Sequence, residues 1–157
     1  MMTTLSAKKC LAAAVLVLLP LLAGCGGKAA PSEVTVQSAR IGNLGVVLTT
    51  SNGHALYSFP PDKQRSVTCH SACAESWPPV DVASGGKVVA GSGVQQSLLG
   101  MISDGDKDVV TYNKWPLYTY KPDVEPRTAV GQALNLNGGY WYVVNTAGRP
   151  ITHTYSR

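Results

Sequence analysis

Charge is scarce in this chain. Only 14 % of its 157 residues are Asp, Glu, Lys or Arg, and the net charge of +4 includes no run of Lys or Arg. A nucleic-acid partner is not expected, because phosphate binding needs clustered cations. Methionine is nearly absent beyond the first two residues, where only Met101 remains. No methionine-rich segment is therefore present to carry copper. There is no G-x-S-x-G elbow, no P-loop, no dinucleotide fingerprint and no H-E-x-x-H. His54, His70 and His153 show no shared ligand spacing and read as turn or surface residues. Nothing points to an enzyme, a cofactor or a catalytic residue.

Long apolar runs are also missing, with one exception. "CLAAAVLVLLPLLAG" (10–24) follows Lys8 and Lys9 and is too short to span a bilayer as a helix. It ends in Leu22-Ala23-Gly24-Cys25, then Gly26-Gly27. This resembles the lipobox of bacterial lipoprotein signal peptides. The resemblance implies that 1–24 is removed and that Cys25 becomes the lipidated first residue. Acyl chains contribute about 0.8 kcal/mol per buried methylene, so two of them anchor a protein stably. The expected location is the extracytoplasmic face of the cell membrane, with the membrane itself as one partner.

What is present in quantity is apolar residues, at 45 %, with 16 Gly and 10 Pro. That composition suits a loop-rich β protein. Residues 25–37 read as a lipidated cysteine and a flexible tether, and 38–157 as one β domain. Short strand patterns recur at 45–50, 54–59, 87–90, 108–113, 115–120, 140–145 and 149–155. Residues 69–77 suit one or two helical turns. Residues 94–102 fit helix or strand equally.

Two stretches match. Leu56-Tyr57-Ser58-Phe59-Pro60-Pro61-Asp62 aligns with Leu117-Tyr118-Thr119-Tyr120-Lys121-Pro122-Asp123. Upstream, Val47-Leu48-Thr49 aligns with Val109-Val110-Thr111 after a one-residue gap. Each unit is strand, turn, strand, Pro-Asp stop. One such hairpin cannot bury its apolar face, whereas two can. The expected fold is all-β with short helical turns: a small sandwich or semi-barrel made of two related hairpin repeats, at about 44–80 and 106–149. Alternation places Tyr57 with Phe59 on one face, and Tyr118 with Tyr120 likewise. The aspartates read as turn caps, and an acid–base pairing of Asp62 with Asp123 is the weaker alternative.

The strings Tyr57-x-Phe59-x-x-Asp62 and Tyr118-x-Tyr120-x-x-Asp123 resemble a family of predicted bacterial lipoproteins with a doubled Y-x-[FWY]-x-x-D motif, a secreted repeat of unknown function. Thr68-Cys69-x-x-x-Cys73-Ala74, Trp77-Pro78-Pro79, Asp104-Gly105, 111–118 and Gly138-Gly139-Tyr140-Trp141 also fit. Ser103 and Ala133 depart from it. The resemblance implies a location and a fold but no activity.

Cys69 and Cys73 are the cysteines left once Cys10 and Cys25 are set aside. In an oxidising compartment such a pair is expected to be a disulfide. Its loop is short, so it would stabilise by only about 2 kcal/mol. The alternative is a reduced Cys69–His70–Cys73 set that handles copper or zinc, or works in redox exchange. Ser103–Asp108 carries alternate carboxylates but reads as a solvated turn. Trp77, Trp115 and Trp141 are candidate faces for an envelope protein or glycan. The functional expectation is a lipid-anchored binding or structural protein of the cell envelope, with redox or metal handling as the alternative.

Overall fold

The structure, a computed structural model, describes residues 30–64 and 66–157. Residues 1–24, read above as a leader, and Cys25 lie outside the described residues. The described chain is mostly β, with one short helix and a few 3-10 turns. In chain order the strands are β1 (Glu33–Ile41), β2 (Gly45–Thr50), β3 (Tyr57–Ser58), β4 (Asp81–Ala83), β5 (Lys87–Ala90) and β6 (Leu99–Asp104). Then follow β7 (Lys107–Tyr112), β8 (Trp115–Pro116), β9 (Asn135–Leu136), β10 (Gly139–Tyr140) and β11 (Tyr142–Val143). Helix α1 is Ala72–Ser76.

The larger sheets are β2-β1-β5 and β4-β7-β6, with β8 also on β7. Neither closes into a barrel, so the described residues form a small sandwich-like stack of sheets. Antiparallel β1–β2 aligns Ser38 with Leu48, and antiparallel β6–β7 aligns Met101 with Val110. A two-fold relation governs the backbone. Leu56 N donates to Leu48 O at 3.0 Å, and Leu117 N to Val110 O at 2.9 Å. Leu48 N donates to Val144 O at 2.8 Å, and Val110 N to Val80 O at 2.9 Å. Val144 N donates to Leu56 O at 3.0 Å, and Val80 N to Leu117 O at 2.9 Å. Each unit thus lends the strand after its tryptophan to the other unit's sheet. At the centre Tyr57 and Tyr118 exchange backbone hydrogen bonds of 2.9 Å in both directions.

Two apolar clusters result. One lies between the sheets and contains Val36, Leu48, Leu56, Val82, Val110, Tyr112, Leu117 and Val144. The other gathers the aromatic residues around Tyr57, Tyr118, Trp77 and Trp141. β5 follows β1 in parallel, and among the described residues its outer edge meets no strand. The Gln96 amide closes it instead, accepting from Ala90 N at 2.8 Å and donating to Val88 O at 3.3 Å.

Several boundaries differ from the sequence reading. β1 starts at Glu33, so regular structure reaches into the segment read as a tether. Residues 149–155 form no strand: Val144 bridges Pro150, and beyond it the chain runs as a tail. Proline at 150 removes a ladder donor there. Residues 94–102 resolve as a 3-10 turn over Gln96–Leu98 followed by β6. No helix among the described residues is long and apolar enough to cross a membrane.

Candidate functional site

The repeated motifs meet at the two-fold relation and exchange their polar ends. Tyr57 Oη donates to Asp123 Oδ2 at 2.6 Å, and Tyr118 Oη donates to Asp62 Oδ2 at 2.6 Å. The second oxygen of each carboxylate holds the loop that follows it. Asp62 Oδ1 accepts from Thr68 N at 2.9 Å and from Thr68 Oγ1 at 2.6 Å. Asp123 Oδ1 accepts from Val130 N at 2.7 Å. The Pro-Asp stop positions both carboxylates: Asp62 N bonds Phe59 O at 2.9 Å, and Asp123 N bonds Tyr120 O at 3.0 Å.

All four side chains are buried. Burial pushes both carboxyl groups above the usual aspartate range. Hydrogen bonds from Thr68 and Tyr118 oppose this at Asp62, and bonds from Tyr57 and Val130 oppose it at Asp123. Burial, reinforced by the facing carboxylates, pushes the Tyr57 and Tyr118 phenols far up. The tyrosines therefore stay protonated and donate. An acid–base pairing of Asp62 with Asp123 is not what forms: each carboxylate closes onto the opposite tyrosine.

Four aromatic rings stack above these pairs. Phe59 lies on Trp141 at 4.2 Å, Trp141 on Trp77 at 4.0 Å, and Trp77 on Tyr120 at 3.9 Å. Tyr57 meets Trp77 edge-on at 5.2 Å, and Tyr118 meets Trp141 edge-on at 5.1 Å. The stacked contacts again cross between units, Phe59 on Trp141 and Tyr120 on Trp77, whereas the edge-on contacts stay within one unit. Trp77 and Trp141 are wholly buried, which corrects their reading as ligand-facing surfaces. Packing ring on ring removes large areas from water and adds about 0.5–1.5 kcal/mol per aromatic pair. Trp115 is half-buried on β8. The aromatic residue that does face outward is Tyr140, 49 % exposed, stacked on Tyr142 at 5.9 Å.

The sulfurs of Cys69 and Cys73 are joined. In this form they supply no thiolate, so the soft ligand set with His70 requires prior reduction. His70 Nε2 lies 3.0 Å from Val67 O, and its Nδ1 lies 3.7 Å from Asp104 Oδ2. Among the described residues no group of three His, Cys, Asp or Glu side chains is placed to hold a metal ion. The acidic stretch 103–108 is the turn between β6 and β7: Asp104 pairs with Lys107, and Ser103 Oγ donates to Asp108 at 2.9 Å. His54 Nδ1 sits 2.9 Å from Asp123 O, and His153 lies exposed on the tail.

One buried polar residue escapes the sequence reading. Gln132 accepts from Val143 N at 2.8 Å and donates to Ile151 O and to His153 O at 2.7 Å, fastening the tail to the core. Nothing in "VGQALN" marks it, because a glutamine's burial depends on the distant segments it ties. Trp77 and Trp141 also correspond, each standing three residues before the valine that joins the other sheet, a relation that only the backbone exchange reveals.

No curated protein and no solved structure matches the chain. Residues 38–81 match the Lipoprotein_15 family model, described as a secreted repeat of unknown function; the stretch covers the first Tyr-x-Phe-x-x-Asp string and ends before the second.

Proposed function

We propose that this chain is an extracytoplasmic lipoprotein, anchored by a lipidated Cys25, that serves the cell envelope as a binding or structural module rather than as an enzyme. One observation carries the reading: the repeated tyrosines and aspartates bond to one another inside the core. Side chains used this way hold two halves of a scaffold together and are themselves engaged in bonding rather than chemistry. The lipobox pattern at 22–25 and the secreted family matched at 38–81 support the location. Tyr140, exposed on its Tyr142 support, offers the scaffold an outward aromatic face. Such a face suits an envelope protein or a glycan.

The test pairs fractionation with crosslinking in intact cells. The mature chain should appear in the membrane fraction with a diacylglyceryl thioether on Cys25, and Cys25→Ala should not mature. A photoreactive residue at 140 should give an adduct with an envelope component. A membrane-bound, fully processed Cys25→Ala protein would overturn the anchor. Absence of any adduct from position 140 would overturn the outward aromatic face.

A further inference from the structure

The two units differ at one register position of their hairpins. Thr49 and Thr111 correspond in the repeat. Thr49 stands opposite Gln37 on β1, and Thr111 stands opposite Gly100 on β6. Directly opposed residues of an antiparallel pair share a face. In the first unit that face is filled. Thr49 is wholly buried and its hydroxyl donates to Gln37 O at 3.4 Å, while the Gln37 amide donates to Ser51 O at 2.8 Å. In the second unit Gly100 brings no side chain to that place. A Cβ there would lie 3.0 Å from Thr111 Oγ1, so the glycine is what leaves the hydroxyl uncovered. The backbone itself does not call for glycine, since the φ of Gly100 lies outside the left-handed region.

A cleft of about 440 Å³ opens at this position, and its lining includes Leu98, Gly100, Ile102, Thr111, Asn113 and Lys114. That volume suits a small ligand. Thr111 is only 4 % exposed, yet its hydroxyl makes no hydrogen bond among the described residues. It is not sealed from solvent as Trp77 Nε1 is, so it opens on the cleft. Lys114 pairs with no carboxylate among the described residues, and no Asp or Glu lines the cleft. Asn113 and Lys114 hold φ 47° and 71° as the central residues of the tight turn between β7 and β8. Glycine is the least costly residue at the second of these positions, and lysine occupies it. Asn113 fixes the turn: its N donates to Leu98 O at 2.8 Å and its Nδ2 to Gly148 O at 3.3 Å. Half-buried Leu98 and Ile102 supply apolar wall.

We propose that this cleft binds a small carboxylate with an aliphatic body. The carboxylate accepts from Thr111 Oγ1 and pairs with Lys114, the one cation in the lining. The aliphatic body lies against Ile102 and Leu98 and leaves water there. The first unit has no such site, because Gln37 occupies the equivalent place. A free fatty acid and the carboxyl end of a peptide share this chemistry.

The full chain, held in a non-ionic detergent, is titrated with hexanoate, with N-acetyl-leucine and with hexanol. Nuclear magnetic resonance of the Ile102 and Thr111 methyl groups reads binding. Both carboxylates should shift these methyls to saturation, and the tighter of the two assigns the source, fatty acid or peptide end. Hexanol should bind about tenfold more weakly, because it lacks the charge-assisted bonds. Thr111→Val keeps the shape without the hydroxyl and should weaken hexanoate about tenfold, read at Ile102. Lys114→Gln, on the exposed turn, should weaken it about threefold. Gly100→Gln restores the arrangement of the first unit and should abolish binding while the thermal midpoint stays near wild type. Shifts that never saturate, or equal affinity for hexanol and hexanoate, would overturn the proposal. So would a folded Gly100→Gln protein that binds hexanoate as wild type does.

Discussion

Tyr57 Oη and Asp123 Oδ2 stand 66 residues apart in the chain and 2.6 Å apart in space. The reverse pair, Tyr118 with Asp62, has the same length. A motif that appeared to be repeated for local reasons is thus completed only between its copies. The strand that carries each tyrosine and the Pro-Asp stop that carries each aspartate come from opposite units.

The pairing predicts a matched set of losses. Tyr57→Phe removes one donor from a buried carboxylate and should cost about 1–3 kcal/mol. Tyr118→Phe should fall in the same range, because Asp62 is bonded in the same way. Combining Tyr57→Phe with Asp123→Asn should cost clearly less than the two single losses together. Urea denaturation midpoints measure all of these. Strict additivity in that double-mutant cycle would mean that the 2.6 Å contact carries no coupling.

The same carboxylates predict an unusual pH dependence. Burial raises Asp62 and Asp123 above their ordinary value of 3.8. A carboxyl group whose folded pKa exceeds its unfolded one stabilises the fold fully below the unfolded value. That contribution is lost as pH rises through the folded value. The denaturation midpoint should therefore fall as pH increases upward from about 4 through the raised pKa values. Asp62→Asn, which stays neutral, should flatten part of that slope. If wild type and Asp62→Asn keep parallel profiles, burial is not governing this carboxylate.

Aromatic stacking sets a third expectation. A Cβ placed on Gly131 would lie 2.6 Å from Trp77 Cη2 and 2.8 Å from Tyr120 Cδ1. Both rings are held in the four-ring stack, so neither can move alone. Gly131→Ala should destabilise by about 1–3 kcal/mol and perturb the near-ultraviolet circular dichroism of the tryptophans. The far-ultraviolet spectrum should hold, because the sheets do not pass through this contact. An unchanged near-ultraviolet signal would show that the stack yields easily.

These features differ in how far the sequence foretold them. The hairpin units, the disulfide and the aromatic character of the core follow from strand alternation, turn residues and cysteine count, all of which act over a few residues. The swap between units does not. Tyr57 beside Asp62 in sequence suggests a contact within one copy, and only the two-fold backbone exchange redirects it to Asp123. Trp77 and Trp141 read as possible surfaces because composition alone does not tell a stacked tryptophan from an exposed one. The strand-like residues Glu33-Val34-Thr35-Val36 belong to β1 rather than to the tether, and they follow a Gly/Ala/Pro/Ser segment with no turn marking the change. Residues 149–155 alternate like a strand, yet they follow Pro150 past the sheet and are fixed by a side chain.

That side chain supports the final prediction. Gln132 uses both ends of its amide: the oxygen accepts from Val143 N, and the nitrogen donates to Ile151 O and His153 O. Gln132→Ala leaves a buried N–H and two carbonyls to find other partners, at about 1–3 kcal/mol for an unsatisfied buried group. Deuterium exchange should then quicken over 150–157 while the β6–β7 ladder keeps its protection. Gln132→Glu separates the two functions. It preserves shape and acceptor, but at neutral pH it faces two carbonyl oxygens with a negative charge. It should therefore be at least as harmful as alanine there. Protonating that glutamate restores one donor, so its stability should recover as pH falls, whereas Gln132→Ala gains nothing from this source. A glutamate variant that tracks alanine across the whole pH range would show that the tail is held by packing of Ile151 rather than by the amide.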